Sequence, residues 1–218
     1  GFTYLRVADT QKALQKLAHG YRRLLAVRVA SVTGSSGKSS TKEMLAAVLE
    51  TTGPTHRTPG NLNNHFGVPL TLLGIGAEDR WAVVELAMNS PGEIGALAEL
   101  AEPEVGVVTN IGWAHIEGMG SKEATAKEKG ALYRALPANG LAVSNADDPM
   151  EKITLEGCRA RVVRVGSSAG ADYRLGDLSC EGGSTRFVCE GPRGKMAVRI
   201  PVPGAHMAMN AAQAWAAG

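Results

Sequence analysis

Cysteine is scarce in this sequence: Cys158, Cys180 and Cys189 are odd in number and show no C-x-x-C spacing. A disulfide framework and a zinc site are thereby disfavoured, and reduced thiols in a cytoplasmic protein are the expectation. Charge of one sign is also lacking. A net charge of +2 is too small to point to nucleic acid or a membrane surface as partner. No apolar run is long enough to span a bilayer, and no basic, apolar leader ends in small residues, so nothing suggests export. Aromatic residues make up only 5%, whereas 44% hydrophobic and 20% charged residues are ordinary values for a soluble chain. At 218 residues there is length for one large domain, or one domain with pieces of another, around a proper core.

What is present is organised around residues 26–40, AVRVASVTGSSGKSS: an apolar, β-branched run that stops at a glycine-flanked turn and ends in lysine and hydroxyls. This reads as a strand delivering a phosphate-binding loop. Gly34 and Gly37 let the backbone curl close to an anion, and the helix that follows brings its positive end to the same place. Lys38 adds a full charge, and Ser39 offers a hydroxyl to a magnesium ion. The general P-loop pattern wants a glycine where this chain has Val32, so only the shorter form, Gly34 to Ser39, is met.

Before the loop, Asp9 or Thr10 can cap a helix whose Leu14, Leu17, Ala18, Tyr21 and Leu25 recur at helical spacing, a helix expected to pack beside the nucleotide domain. After it, residues 40–50 continue as a helix closed by Gly53 and Pro54. The Gly-, Pro- and Asn-rich segment 52–74 reads as a short strand, a polar loop and a short helix from about Pro69. Residues 81–87, WAVVELA, and the run 105–110 are buried parallel strands. Between them Ser90, Pro91 and Glu93 spell a helix start, with Ser90 as cap and Glu93 in a structural role. A helix capped by Ser121 is expected to run to about Leu136, followed by a strand at 140–145 and the turn ADDP. Strands alternating with helices predict an α/β fold with a doubly wound, mostly parallel sheet, its ligands at the carboxyl ends of the strands. From Arg161 onward, short strands joined by glycine-rich turns predict a small antiparallel β patch before a final alanine-rich helix.

Few residues stand out as carriers of chemistry. Glu85, near the end of an apolar strand beside the loop, suits a magnesium ligand better than an unpaired edge carboxylate. His115, taken alone, is an ordinary loop histidine on the same side of the sheet. Lys127 and Lys129 cannot share a helix face, so at most one of them points into a site. Asn61, Asn63 and Asn64 are either turn formers or amides that meet phosphate or substrate, and the residues alone leave both open. His206 and Asn210 lie one helical turn apart and can face one ligand. For Asp147 and Asp148 turn chemistry is the stronger reading.

Taken together, VTGSSGKSSTKEML, GNLNNHFGVPLTL, AVVELAMNSPGEI, VVTNIGWAHIEGMGS, AKEKGALYRALP, SNADDP and PGAHMAMNAAQA resemble, in order and spacing, the central ATP-binding domain of the Mur ligases. The likeness runs from about Val27 to the end, and is greatest to the member that adds D-alanyl-D-alanine to a UDP-N-acetylmuramoyl tripeptide in peptidoglycan synthesis. The resemblance implies an ATP-dependent amide ligase that activates a carboxylate as an acyl phosphate. It implies that Gly34, Ser35, Ser36, Gly37, Lys38, Ser39 and Ser40 surround the ATP phosphates, with Asn64 reaching phosphate or metal and His206 and Asn210 in the base region. Lys38, His115 and Lys129 would be the catalytic groups. Ser39 and Glu85 would hold a first magnesium ion and His115 a second, joined by Lys129 if it is carbamylated, as a lysine at that place can be in related ligases.

The resemblance further implies that residues 1–25 are the tail of an N-terminal domain with its linker helix and 26–218 the central domain, with the C-terminal domain absent. A monomer is expected, and this polypeptide alone is expected to bind nucleotide weakly and ligate poorly or not at all. Two other readings stay open: another amide ligase of the superfamily, such as a folylpolyglutamate synthase or a different Mur enzyme, and a nucleotide-binding module without ligation.

Overall fold

The computed structural model describes residues 3–113, 119–192 and 194–218. Its frame is one mixed sheet in the order β2-β3-β1-β4-β5-β6-β7-β8-β9, flanked by helices. The chain begins with α1 (Thr10–Leu24), β1 (Arg28–Thr33), α2 (Lys38–Glu50), β2 (Thr55–Arg57), α3 (Gly67–Leu73), β3 (Trp81–Glu85), α4 (Glu93–Ala101) and β4 (Val105–Val108). It continues through α5 (Lys122–Lys129), α6 (Ala131–Ala135), β5 (Leu141–Asn145), α7 (Glu151–Thr154), β6 (Arg161–Gly166), β7 (Tyr173–Glu181), β8 (Ser184–Gly191), β9 (Gly194–Ile200) and α8 (Ala205–Ala217).

Alternation along the central strands divides the core into two layers. Val29, Ala82, Val84 and Val108 face α1, α3, α4, α5 and α6 through Ala18, Leu72, Leu97, Ala126 and Leu132. Their neighbours Ala30, Val32, Val83, Val105 and Val107 face the other way, onto Leu45 and Leu49 of α2 and Ala208 and Ala212 of α8. Strands covered on both faces explain the continuous apolar runs in the sequence. The expected packing of α1 is seen: Ala18 is buried, Tyr21 Oη donates to the Ile75 carbonyl at 2.7 Å and Arg22 Nε to the Ala101 carbonyl at 3.1 Å.

Several expectations are revised. Leu17 of α1 is 63% exposed, because the helix turns only a narrow stripe to the sheet layer. Ser90 does not cap α4; Gly92, at φ 87, does, while Glu93 reaches back to the Asn89 N–H at 2.6 Å. The Gly92 and Ile94 amides are taken by the carboxylate of Glu128, a residue of α5 far along the chain, at 2.8 and 2.9 Å. Ser121 caps its helix as expected, but that helix divides into α5 and α6 at Gly130, where a Cβ would stand 2.5 Å from the Thr154 carbonyl oxygen. The expected antiparallel strands near the C-terminal end are found in β7, β8 and β9, but β6, read with them, pairs in parallel with β5 and with β7, so that they continue the main sheet.

Tyr133 ties the sheet to α6. Its buried hydroxyl accepts from the Val108 N–H at 3.1 Å and donates to the Val143 carbonyl at 2.6 Å, bridging β4 and β5 at the end of their ladder. Tyr133→Phe strands both backbone groups, and a loss of about 1–3 kcal/mol in unfolding free energy is expected by chemical denaturation. A change within about 0.3 kcal/mol would contradict this role.

Candidate functional site

The loop after β1 opens where the strand order reverses. β1 is paired on one side with β3, Val32 opposite Glu85, and on the other with β4, Thr33 opposite Val108. All three strands are parallel, so residues 34–37, Glu85 and Thr109 come off the same end of the sheet. Gly34, at φ 148, passes so close to the end of β4 that a Cβ would lie 1.8 Å from Thr109 Oγ1. Gly37, at φ 79, caps α2, and a Cβ there would meet Asn210 Oδ1 at 2.7 Å. Only glycine serves at both positions.

Side chains from the end of β4 hold the loop in shape. Thr109 Oγ donates to the Ser36 carbonyl at 2.6 Å and Asn110 Nδ2 to the same oxygen at 3.0 Å. In return the Ser36 N–H donates to Asn110 Oδ1 at 3.2 Å and the Ser35 N–H to the Asn110 carbonyl at 2.9 Å. The amides that open α2, at Lys38, Ser39 and Ser40, have no carbonyl a turn earlier to pair with and present the positive end of a 13-residue helix. Lys38 Nζ folds back onto the Gly34 carbonyl at 3.1 Å, and burial lowers its pKa against the opposing charge of Glu85. Ser39 is exposed and Ser40 half-buried.

Glu85, the last residue of β3, is 1% exposed. Its N–H donates to Thr58 Oγ1 at 2.9 Å, and its Oε1 accepts from Asn63 Nδ2 at 2.8 Å. Its Oε2 is buried with no hydrogen-bond partner among the described residues. A hard, anionic oxygen left open in this way suits a magnesium ion, with the Ser39 hydroxyl as a second donor from the chain. Lys42 stands behind, 2% exposed, its Nζ 4.0 Å from Glu85 Oε2. Neither Asn63 nor Lys42 was singled out by the sequence as touching Glu85: Asn63 is one of three loop asparagines, and Lys42 looks like a solvated lysine near the start of a helix.

Two of the three loop asparagines have defined side-chain partners. Asn64 Oδ1 accepts from the Phe66 and Gly67 N–H groups at 3.1 and 2.9 Å, so it opens α3, and Asn63 is the amide beside the acid. Lys129, at the end of α5, is 1% exposed, whereas Lys127 is exposed. Burial and, next, the charge of Lys38 push the Lys129 ammonium down to about 7, with Glu128 opposing. That coupling brings Lys129 into the electrostatic range of the loop. His206 and Asn210 do share one space, a cavity of about 530 Å³ lined also by Asn110, Asn145, Asp177 and Met209. Asp148 Oδ1 accepts from the Met150 N–H two residues on at 2.9 Å, the expected turn bond, whereas its Oδ2 accepts from the distant Ile111 N–H at 2.6 Å and Asp147 from the distant Ser167 N–H at 2.8 Å. His115 lies outside the described residues. A roomier cleft of about 940 Å³ between α1 and α4 shares no residue with the loop.

Residues 32–218 match the Mur ligase middle domain. The chain belongs to the Mur ligase family. This Mur ligase chain is 41% identical over 210 residues to the UDP-N-acetylmuramoyl-tripeptide:D-alanyl-D-alanine ligase of Escherichia coli K12, covering 95% of its own length and 46% of that protein's. In structure it matches MurF from Acinetobacter baumannii with a TM-score of 0.92 at 35% identity, over 96% of this chain and 46% of that one. MurF from Thermotoga maritima, in complex with ADP, matches with a TM-score of 0.87 at 31% identity, over 97% and 49%. The chain thus spans about half the length of these relatives. Among the described residues of this Mur ligase domain, no helix is long and apolar enough to cross a membrane.

Lys129 makes a prediction about stability and pH. With a pKa of 10.5 in the unfolded chain and about 7 when folded, the unfolded state binds more protons between those values. The penalty for burying the ammonium is therefore full below about pH 7 and fades as the pH rises towards 10.5. Lys129→Met removes it, worth on the order of 5 kcal/mol. The variant is expected to unfold at a higher temperature than the unsubstituted chain at about pH 6, the gap closing near pH 10. A gap that is the same at both pH values would contradict a buried, strained ammonium.

Proposed function

We propose that this chain is the ATP-binding and catalytic middle domain of a ligase that joins D-alanyl-D-alanine to a UDP-N-acetylmuramoyl tripeptide, working as a monomer in the cytoplasm. In this reading residues 1–25 are the end of a preceding domain and its linker helix. The observation that carries it is the pairing of the glycine-cradled loop with a buried acid, Glu85, whose second oxygen is left open at the end of the adjacent strand. A 41% identity to the E. coli ligase favours this acceptor over that of a folylpolyglutamate synthase or another Mur enzyme.

The γ-phosphoryl group of ATP passes to the terminal carboxylate of the UDP-linked peptide, forming an acyl phosphate and releasing ADP. The amine of D-alanyl-D-alanine then attacks the acyl carbon, the amide bond forms, phosphate leaves and the amine gives up a proton. Lys38 and the amides opening α2 hold the β and γ phosphates and offset the charge that moves between them. Glu85 and Ser39 are the groups that would hold a magnesium ion, which supplies charge neutralisation to the phosphates when bound. Lys129, close to half-neutral near pH 7, is poised either to take up carbon dioxide as a carbamate or to contact the transferring phosphoryl group. Asn210, packed against Gly37, and His206 line the space suited to the base. His115 is proposed as a further metal ligand on the strength of the family pattern alone.

Replacing the corresponding middle segment of the E. coli ligase by this chain tests the reading. The chimera is expected to release phosphate from ATP only when both the UDP-linked tripeptide and D-alanyl-D-alanine are present, and Glu85→Gln to lower turnover by at least about 100-fold with ATP still bound. Release that ignores the acceptor, or ATP binding without turnover for any acceptor, would overturn it, the second in favour of a binding module.

A further inference from the structure

Lys42 is a buried cation that the mechanism above does not use. It sits in the second turn of α2, one turn beyond Lys38, and its side chain is 2% exposed. An ammonium has three N–H groups to place. Here there are three acceptors within reach: the Thr58 carbonyl at 2.9 Å, the Gly60 carbonyl at 3.2 Å and Glu43 Oε1 at 3.0 Å. Glu85 Oε2 is 4.0 Å away, beyond hydrogen-bond length, and has no other partner among the described residues.

The arrangement gives the lysine two effects at once. Its charge lies beside a carboxylate that burial would otherwise make costly to keep. Its hydrogen bonds, however, go to the Thr58 and Gly60 carbonyls and its charge is also paired with Glu43 at 3.0 Å, while the one oxygen of Glu85 that faces it lies at 4.0 Å and stays open. The two carbonyls it grips belong to the segment that also supplies Thr58 Oγ1 to the Glu85 N–H and Asn63 Nδ2 to Glu85 Oε1. Lys42 therefore links α2, which begins with Lys38 and Ser39, to the segment that grips Glu85. The third acceptor, Glu43, is itself held by Arg57 Nε at 3.2 Å, and Arg57 Nη1 by Glu50 at 2.9 Å, which carries the alternation of charge out to the surface.

We propose that Lys42 is a positioning residue for the cation site: it fixes the spacing between the start of α2 and Glu85 and leaves Glu85 Oε2 free for a divalent ion. The proposal rests on the reading of Glu85 as a metal ligand. A solvated lysine on a helix would have neither the burial nor the three fixed partners, and a purely structural one would not need to stop short of the single open carboxylate oxygen.

Binding of Mn2+ to this chain in the presence of ADP, followed by electron paramagnetic resonance, tests it without reference to turnover, alongside thermal unfolding of each variant. Lys42→Met is expected to weaken Mn2+ binding at least tenfold while the folded protein remains. If Lys42→Met does not fold, Glu43→Ala decides. Glu43 is half-exposed, and its loss leaves Glu85 as the carboxylate nearest to the Lys42 ammonium, which is then drawn onto Oε2, so Mn2+ binding is expected to weaken at least threefold with unfolding little changed. Mn2+ affinity within twofold of the unsubstituted chain in the variant that decides, while Glu85→Gln loses Mn2+, would overturn the role of Lys42 and leave the metal reading standing. If Glu85→Gln also binds Mn2+ unchanged, the metal reading itself falls, and the proposal with it.

Discussion

The structure depends on how closely the backbone at Gly34 passes Thr109. With no Cβ, the chain leaving β1 can lie against Thr109, and from that approach the rest of the loop follows. Ser35 and Ser36 come within reach of Asn110, the carbonyl of Ser36 is fixed by two side-chain donors, and α2 starts with its free amides aimed above the sheet. A side chain at that one position would drive β4 and the loop apart. The cost would fall on the loop and the start of α2 before it fell on the core, since the apolar layers on either face lie below this contact.

Around the loop the protein keeps ionisable groups in places where burial alone would discourage them. Glu85, Lys42 and Lys129 are each almost wholly covered, and none lies on the exposed face of its element. Buried charge is weak evidence for stability and better evidence for a site, because it is kept at a cost in folding free energy. Here the three are not a single ion-pair cluster. Glu85 and Lys42 stand just beyond hydrogen-bond length, and Lys129 is burdened by the like charge of Lys38. The proposed nucleotide with its cation is a ligand of mixed charge that suits such an arrangement.

What the sequence made legible was local. The β-branched run before Gly34, a cap at Asp9 or Thr10, the cap at Ser121 and apolar strands within 81–87 and 105–110 each declare themselves within a few residues, and the structure has the caps at Asp9 and Ser121 and the strands at 81–85 and 105–108. What it hid was non-local. Glu128 takes the first amides of α4 from another helix and Gly92 is the cap, so the local cap at Ser90 was a false signal. Gly130 breaks a helix because a carbonyl from 154 passes it. Lys42 has the sequence setting of a surface lysine and is covered only because residues 58–60 fold over it. Asn63 and Asn64 are told apart only by where α3 begins. The parallel pairing of β6 with β7 escaped because glycine-rich turns suggested hairpins throughout, whereas only two of the pairings there are antiparallel.

The central claim is that residues 34–40 and the groups at the ends of β3 and β4 form one nucleotide site with the cavity at the start of α8. Amide chemical shifts of the isotopically labelled chain, recorded on addition of ADP and Mg2+, test it most directly. The account predicts the largest changes at Gly34 to Ser40, at Glu85 and around His206 and Asn210. Changes concentrated in the cleft between α1 and α4, with the loop unmoved, would contradict it.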